Sequence, residues 1–213
     1  MIFRLDDRLI FPDPKLAEPD GLLAVGGDLS TGRLLLAYQH GIFPWYGDDT
    51  PILWYSPHER FVLYPEELKV SKTMRQVLRS GKFTVTADTS FDKVIEACSS
   101  IKRKGEPGTW ITAEMQAAYI QLHMLGYAHS VEVWQHNELV GGLYGVATGN
   151  VFCGESMFSE VSNASKAALI YICRTDLYRL IDCQVYTAHL ASLGGRLISR
   201  ENYMGVVNGH SEW

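Results

Sequence analysis

The sequence predicts an α+β protein in which a regular helix-and-strand domain follows a small, loop-rich N-terminal domain. Two observations carry this prediction. Residues 1–60 hold most of the eight prolines, with many glycines and aromatic residues, which is typical of irregular structure. From residue 61 onward, apolar residues recur with helical and strand periods between capping and turn residues. We therefore predict a domain boundary after residue 60, with the second domain covering residues 61–213.

The overall composition is that of a globular protein, with 46% hydrophobic and 20% charged residues among 213. The formal net charge of -5 argues against a wholly basic surface that coats nucleic acid, although it leaves room for a local basic patch. No apolar run reaches transmembrane length, and the N-terminal segment lacks a signal-peptide pattern. The four cysteines form no CxxC motif, which argues against a zinc site or a disulfide framework. We therefore expect a cytoplasmic monomer that does not contact membranes.

One helix is predicted in the N-terminal domain. Ser30 can cap its start, Gly41 ends it, and the leucines at 34–36 and Tyr38 supply its apolar face. The segments around it, which include FPDP, GLLAVGGDLS and GIFPWYGDDTPILWYSPHERF, are expected to be irregular and to present an aromatic surface.

The second domain is predicted to alternate between helices and strands. Ser71, Ser90 and Thr112 can cap helices, Gly126 closes the third of these, and Asn137 has the turn preference needed between two strands. The predicted elements are, in order, a strand at 60–64, a helix at 71–80, a strand at 82–88, helices at 90–101 and 112–126, strands at 128–135, 138–149 and 150–159, a helix from 162 or 163 to 180, a final strand at 180–186 and a terminal helix at 199–207.

This succession of elements favours one known architecture. Helices, an antiparallel meander, and then a helix and a strand form the order of the acetyltransferase-like (GNAT) fold. We therefore predict a GNAT-like second domain, although a fold by itself does not specify a function.

The segment VFCGESMFS, residues 151–159, places a carboxylate in an apolar run, where an acid is retained only if it is paired or useful. Ser156 has the setting of a hydrolase nucleophile, but the G-x-S-x-G motif lacks its second glycine and the segment continues as a strand. We expect Ser156 to bond to backbone or to a ligand. The following connection, SEVSNASK, lacks the glycine-rich loop that binds the pyrophosphate of CoA, which disfavours an acyl-CoA donor.

Glu155 and Asp182 both lie in apolar, strand-like segments, and strand alternation places Asp182 on the same face as Gln184. Two explanations stay open. Each acid can be satisfied inside the protein by backbone N–H groups or by an Arg or Lys. Alternatively, the two acids together form a receptor for an ammonium or guanidinium group.

Cations concentrate in residues 69–82, KVSKTMRQVLRSGK, which contain no acid. Lys72, Arg75 and Arg79 share one helix face, and Lys82 follows the helix. A second basic cluster lies at residues 102–104. A solvated helix face is the ordinary explanation of such a pattern, but a local concentration of cations in an acidic protein suits a nucleic-acid backbone.

Several blocks resemble one family in order, from about residue 20 to residue 194: GLLAVGGDLS, GIFPWY, ILWYSPHER, GTWIT, GYAHSVEVW, LVGGLYGV, FCGESMFS, NASKAAL and LIDCQV. They look like the leucyl/phenylalanyl-tRNA–protein transferase family. The resemblance implies transfer of Leu or Phe from charged tRNA to the α-amine of proteins that begin with Arg or Lys, which marks them for N-end-rule degradation in bacteria. It also implies a small N-terminal domain beside a GNAT-like domain. The ending GHSEW looks shorter than the family's usual tail.

The resemblance also assigns site residues by position. Trp45 and Trp110 would hold the terminal adenosine of the tRNA. An apolar pocket for the Leu or Phe side chain would be lined by Leu143, Phe152, Met157, Leu169, Ile172 and Ile181. Leu143 and Ile172 depart from the methionine and the aromatic residue that the family pattern leads us to expect, and both keep the pocket apolar.

The implied reaction is ester aminolysis, which requires no metal, cofactor or covalent intermediate. The family assigns the pair matching Asp182 and Gln184 to removal of the amine proton. A carboxamide is a very weak base, so we expect Gln184 to orient the reactants, Asp182 to act as an anchor or relay, and Glu155 to receive the cationic acceptor. Two alternatives are an acyl-CoA-dependent GNAT N-acetyltransferase and a non-catalytic tRNA-binding module.

Overall fold

The computed structural model describes residues 2–101 and 110–209. The second basic cluster, residues 102–104, and the last four residues of the chain lie outside this range. A four-stranded sheet, in the order β1-β2-β4-β3, forms within the N-terminal part together with one helix. Its elements are β1 (Phe3–Leu5), β2 (Leu22–Gly26), α1 (Thr31–Gln39), β3 (Phe43–Pro44) and β4 (Leu53–Tyr55). Regular strands thus form where the sequence predicted irregular segments.

A seven-stranded sheet organises the rest of the chain, in the order β11-β5-β10-β9-β8-β7-β6. The meander from β6 to β9 is antiparallel, whereas β9 and β10 run parallel. The elements are β5 (Glu59–Leu63), α2 (Lys72–Arg79), β6 (Thr84–Ala87), α3 (Phe91–Ser100), α4 (Ala113–Met124), β7 (Ala128–Gln135), β8 (Glu138–Thr148), β9 (Val151–Ser159), α5 (Ala164–Cys173), β10 (Leu180–Asp182), α6 (Ala188–Ser192), β11 (Arg196–Ser199) and α7 (Arg200–Val207). The predicted α+β class is confirmed, and so is the predicted succession of helices, an antiparallel meander, and then a helix and a strand.

The predicted helix starts are confirmed in detail at three places. The side chains of Ser30, Ser71 and Thr112 each accept a hydrogen bond from the backbone N–H three residues further on, which satisfies a free donor of the first turn. Ser90 precedes α3 as predicted, but its side chain makes no cap bond. The carboxylate of Glu132 on β7 instead accepts from the Ser90 N–H at 3.4 Å.

Two predicted elements end earlier than the sequence suggested. The helix expected to reach residue 180 stops at Cys173, and Asp176 then adopts a left-handed backbone conformation with φ 57°. The strand expected over 180–186 stops at Asp182, because Gln184 has φ 62° and cannot continue a strand. This strand is also not the last, since β11 follows it. Strand alternation therefore does not determine where Gln184 lies relative to Asp182.

The core consists of two hydrophobic clusters. One cluster joins Leu34 and Tyr38 of α1 and Trp54 of β4 to Tyr119 of α4 and Tyr144 of β8, so the N-terminal part shares a core with the larger sheet. The second cluster lies among β5, the meander, α5 and α6. The boundary after residue 60 stays a prediction; β5, which belongs to the larger sheet, begins at Glu59.

The helices of the described residues, 2–101 and 110–209, include none that is long and apolar enough to cross a membrane. The cysteines of the same ranges, Cys98, Cys153, Cys173 and Cys183, carry free thiols.

We predict that Gly145→Ala destabilises the protein strongly. A Cβ at this position would lie 2.2 Å from the Cys153 carbonyl oxygen and 2.7 Å from the Phe152 ring, so β8 and β9 would have to separate. We expect the free energy of unfolding, measured in urea, to fall by about 3 kcal/mol or more. Gly47→Ala is the matched control, because a Cβ there meets nothing within 4 Å. Equal stability of the two variants would contradict the prediction.

Candidate functional site

A cavity of about 380 Å³ opens between the end of β10, strand β9 and the loops that carry two tryptophans. All but one of the predicted substrate-contacting residues line it: Trp45, Trp110, Leu143, Phe152, Ser156, Met157, Leu169 and Ile181. Ile172 is the exception, since it is buried in the second hydrophobic cluster and does not belong to the cavity wall. The wall is thus largely apolar, and its polar part contains Glu155, Asp182 and Gln184.

A β-bulge shapes the wall of this cavity. Tyr144 on β8 pairs with Ser156, but the next residue, Gly145, pairs with Gly154, so Glu155 is the extra residue of β9. The bulge reverses the alternation of the strand. Phe152 and Met157 would face opposite sides of a regular strand, yet both line the cavity. Glu155 therefore lies between Gly154 and Ser156, which both have partners on β8, and has no partner there itself.

The Glu155 carboxylate is held by neutral hydrogen-bond donors. The exposed fraction of this residue is 8%. Gln184 donates from Nε2 to Oε1 at 2.9 Å, and the Tyr119 hydroxyl donates to Oε2 at 3.3 Å. The Tyr119 hydroxyl is itself hydrogen-bonded to the Tyr38 hydroxyl of α1. Within the described part of the chain, no Lys, Arg or His forms a salt bridge with Glu155.

The pKa of Glu155 is raised from its ordinary value of 4.5 to about 7. Burial is the main cause, because desolvation disfavours the charged form, and the nearby Asp182 carboxylate adds to it. The tyrosine hydroxyls and the Arg60 guanidinium act in the opposite direction. Glu155 therefore changes its protonation state close to neutral pH.

Asp182 is satisfied inside the protein. The Arg60 Nε donates to both of its oxygens, at 3.0 and 3.1 Å, and the Tyr203 hydroxyl donates to Oδ2 at 2.9 Å. Its Oδ1 also accepts from the Gln184 backbone N–H at 2.8 Å. Of the two explanations that the sequence left open, pairing with an arginine describes Asp182. A joint receptor of two unpaired acids does not form, and of the two acids only Glu155 has no salt bridge to a described residue.

Several residues of the site carried no signal in the sequence analysis. Phe43, Val185, His189 and Leu190 line the cavity, and Arg60 lies behind it. The Nε2 atom of His189 is buried and has no hydrogen-bond partner among the described residues. Burial lowers the pKa of this imidazole, with a smaller contribution from the charge of Lys166. His189 lies on α6, a short helix that the sequence did not predict, and so it could not be assigned to this wall before the fold was known.

The basic face lies apart from the cavity. Lys72, Arg75 and Arg79 are exposed on α2 and do not belong to the cavity wall. Lys82 is half-buried, and its ammonium group lies 4.9 Å from the centre of the Phe83 ring. In the residues that the structure describes, no three His, Cys, Asp or Glu side chains are grouped as a metal site.

The sequence matches two family models. The model described as "Leucyl/phenylalanyl-tRNA protein transferase" covers residues 62–208, and that of the "Leucyl/phenylalanyl-tRNA protein transferase N-terminal domain" covers residues 27–58. A protein of Syntrophus aciditrophicus named leucyl/phenylalanyl-tRNA–protein transferase is 58% identical, over 93% of this chain and 84% of its own length. A protein of the same name from Flavobacterium johnsoniae is 53% identical, over 97% of this chain and 99% of its own.

Similarity to solved structures is more distant. A GCN5-related N-acetyltransferase from Kribbella flavida aligns with a TM-score of 0.40 and 11% sequence identity, over 79% of this chain and 56% of its own.

We predict that Glu155→Gln changes how stability depends on pH. The unfolded chain ionises this carboxyl near 4.5, whereas the folded protein keeps it protonated up to about 7. The folded state therefore binds more protons in this interval, and stability falls as pH rises through it. We expect this group to remove roughly 2–3 kcal/mol between about pH 5 and pH 8 in urea unfolding, and Glu155→Gln to lose that component. Glu160→Gln, at an exposed position beyond the end of β9, should retain the dependence; loss in both variants would contradict the assignment.

Proposed function

Since the chain belongs to the leucyl/phenylalanyl-tRNA–protein transferase family, and is therefore an enzyme that transfers an aminoacyl group from tRNA to protein, we propose that its acceptors begin with Arg or Lys. The donors are Leu-tRNA and Phe-tRNA. We place the reaction in the cytoplasm, where charged tRNA is available, and assign it to a monomer. Its products are proteins marked for degradation by their new N-terminal residue.

The observation that carries the acceptor proposal is the position of Glu155. It is a buried carboxylate in an apolar cavity, it has no salt-bridge partner among the described residues, and its hydrogen bonds come from neutral groups. A guanidinium or ammonium group entering the cavity would supply the missing positive charge. An uncharged acceptor would leave the carboxylate uncompensated.

The donor proposal is supported by the apolar part of the wall. The apolar side chains of Leu143, Phe152, Met157, Leu169 and Ile181 line the cavity and suit a Leu or Phe side chain, and methionine adapts to either shape. Ser156, also in the wall, can hydrogen-bond to the aminoacyl group. Ile172 supports the pocket from behind.

The two tryptophans at the opening support binding of the tRNA end. Trp45 has an exposed fraction of 42% and lines the opening together with Trp110. Each indole can stack on the terminal adenine, because stacking on an aromatic face is the usual way in which proteins hold an unpaired base.

The chemistry is aminolysis of the aminoacyl ester. The acceptor's α-amine attacks the ester carbonyl carbon, a C–N bond forms, and the bond from that carbon to the ribose oxygen breaks. Gln184 donates from its side-chain nitrogen to Glu155, which leaves its carbonyl oxygen to accept a hydrogen bond from the amine. Asp182 fixes the Gln184 backbone, and the amine proton passes through a water or ribose hydroxyl to the leaving oxygen. Positioning of this kind can contribute roughly 7–11 kcal/mol.

We predict transfer of Leu and Phe, but not Ile, from charged tRNA to peptides that begin with Arg or Lys. A peptide beginning with citrulline, which is the uncharged counterpart of Arg, should react poorly because it leaves Glu155 without a counter-charge. Radiolabelled donors and peptide chromatography measure each pair, with acetyl-CoA as an alternative donor. Acetyl transfer without aminoacyl transfer would overturn the function, and equal transfer to Arg and citrulline peptides would overturn the role of Glu155.

We predict that the face formed by Lys72, Arg75 and Arg79 binds tRNA phosphates, with Lys82 beside it. Changing the first three to Gln should weaken tRNA binding and reduce the slope of log K against log salt by about 0.7–0.9 for each phosphate that is no longer neutralised. Filter binding between low and moderate salt measures this slope. A matched variant with Gln at three cations on other elements, Arg4, Lys15 and Lys93, should keep the wild-type slope. Equal slopes in the two variants would show that this face is an ordinary solvated surface that does not bind tRNA phosphates.

A further inference from the structure

Arg60 is a buried cation with two aromatic neighbours and one acidic partner. Its exposed fraction is 2%, and it does not belong to the cavity wall. The guanidinium carbon lies 4.7 Å from the centre of the Phe43 ring and 4.6 Å from that of Tyr203. The Arg60 Nε donates to both oxygens of Asp182. Arg60 therefore cannot contact a substrate in the cavity, and any effect on the reaction must pass through another residue.

The path from Arg60 to the cavity is a short series of hydrogen bonds. Asp182 accepts from Arg60 and from the Gln184 backbone N–H, and the Gln184 side chain then donates to Glu155. Gln184 needs this support because its backbone has φ 62°, which a residue with a side chain adopts only when its surroundings enforce it. The Asp182 carboxylate accepts the hydrogen bond from the Gln184 N–H, and the Arg60 guanidinium is the buried counter-charge of that carboxylate.

Arg60 also contacts the part of the chain that leads to Trp45. Phe43, whose ring covers one face of the guanidinium, belongs to β3, and Pro44 and Trp45 follow it in the cavity wall. The cation is thus in contact with both strands, β3 and β10, from whose ends the cavity residues extend.

We propose that Arg60 is a positioning residue for aminoacyl transfer. It holds Gln184 in place through Asp182, and through Phe43 it fixes the position of Trp45 relative to Gln184. This inference rests on the proposed function, and it adds a residue that acts without touching either substrate. The pair of charges is retained in the interior because it fixes the geometry of Gln184, even though burying two charges is costly.

The first test measures transfer from Leu-tRNA to an Arg-ended peptide by Arg60→Gln and Arg60→Lys. We expect kcat to fall about tenfold or more in Arg60→Gln, with the KM for Leu-tRNA within about twofold of the wild-type value, because the substitution disturbs the reacting geometry rather than binding. Arg60→Lys keeps the positive charge and should recover part of kcat, but not all of it, since an ammonium cannot reproduce the planar stacking on two rings.

The matched control is Arg196→Gln. Arg196 is also stacked on a tyrosine, with its guanidinium carbon 4.5 Å from the centre of the Tyr64 ring, and also paired through Nε with an acid, Glu67. This pair is half exposed and lies outside the cavity wall, so its removal should leave kcat unchanged. A similar fall of kcat in both variants would overturn the inference.

The pH profile separates positioning from general stabilisation. The titratable and charged groups that face Arg60 are Asp182 from β10, Tyr203 and Arg200 from α7, and Cys153 and Glu155 from β9. Arg60 lowers the pKa of Glu155, so this pKa rises when the cation is removed. The acid limb of kcat in Arg60→Gln should therefore move upward, and activity should partly return in alkaline buffer. A uniform fall of activity at every pH, following the unfolded fraction in circular dichroism, would show a purely structural role and overturn the inference.

A double-mutant cycle completes the test. If Arg60 acts through Asp182, Arg60→Gln should add little to the fall of kcat already caused by Asp182→Asn, and the pair should be strongly non-additive. Additive effects would overturn the inference. Should Arg60→Gln fail to fold, Arg60→Lys carries the same cycle. Failure of the wild-type protein to transfer Leu or Phe would instead reject the proposed function, so the two failures are distinguishable.

Discussion

A carboxylate gives up most of its hydration when it is buried, and the protein must replace that water with a charge or with hydrogen-bond donors. Three buried acids meet this constraint in three ways. Glu132 is surrounded by hydroxyls, with Ser130 Oγ at 2.5 Å and Thr86 Oγ1 at 2.6 Å, and these donors lower its pKa although burial opposes them. Asp182 forms a salt bridge with Arg60. Glu155 accepts hydrogen bonds from neutral donors, and its pKa stays raised. Our proposal that Glu155 receives a cationic acceptor rests on this difference.

The N-terminal part of the chain is a component of the site rather than an addition to it. Tyr38 of α1 extends the hydrogen bonds of Tyr119, which donates to Glu155, and burial raises the pKa of both tyrosines well above 10, so both remain donors at neutral pH. Phe43 of β3 covers Arg60, and Trp45 lines the cavity. Removal of this part would take away the partner of Tyr119 and leave one face of the guanidinium open.

Much of the architecture could be predicted because it depends on local chemistry. Ser30, Ser71 and Thr112 cap helices through their own side chains, and the turn at Asn137 joins two strands as expected. Most of the cavity wall was also predicted, but through a family resemblance rather than from spacing. Ser90 shows the limit: its helix is present, but its side chain makes no cap bond, and its own N–H donates to a glutamate more than forty positions away.

What could not be predicted depends on long-range pairing. The left-handed backbone at Gln184 was not predicted. Its N–H donates to Asp182 only two residues earlier, but that carboxylate is fixed by Arg60 from another strand. Arg60 was not identified from the sequence for the same reason. An arginine within SPHERF cannot be told from an exposed cation until the fold places Asp182 beside it. Ile172 was assigned to the pocket and lies in the core behind it.

The irregular pairing at Glu155 has a consequence for how this enzyme can diversify. Since one unmatched residue lets Phe152 and Met157 share a wall, the pocket depends on the number of residues in the strand as much as on their identity. Exchanging either side chain alters the depth of the pocket and leaves its outline intact. Deleting or inserting a single codon between them would rotate one wall out of the cavity and displace the acid at the same time. Under the proposed function, preference among donor side chains is therefore open to change by substitution, whereas the length of this strand is not.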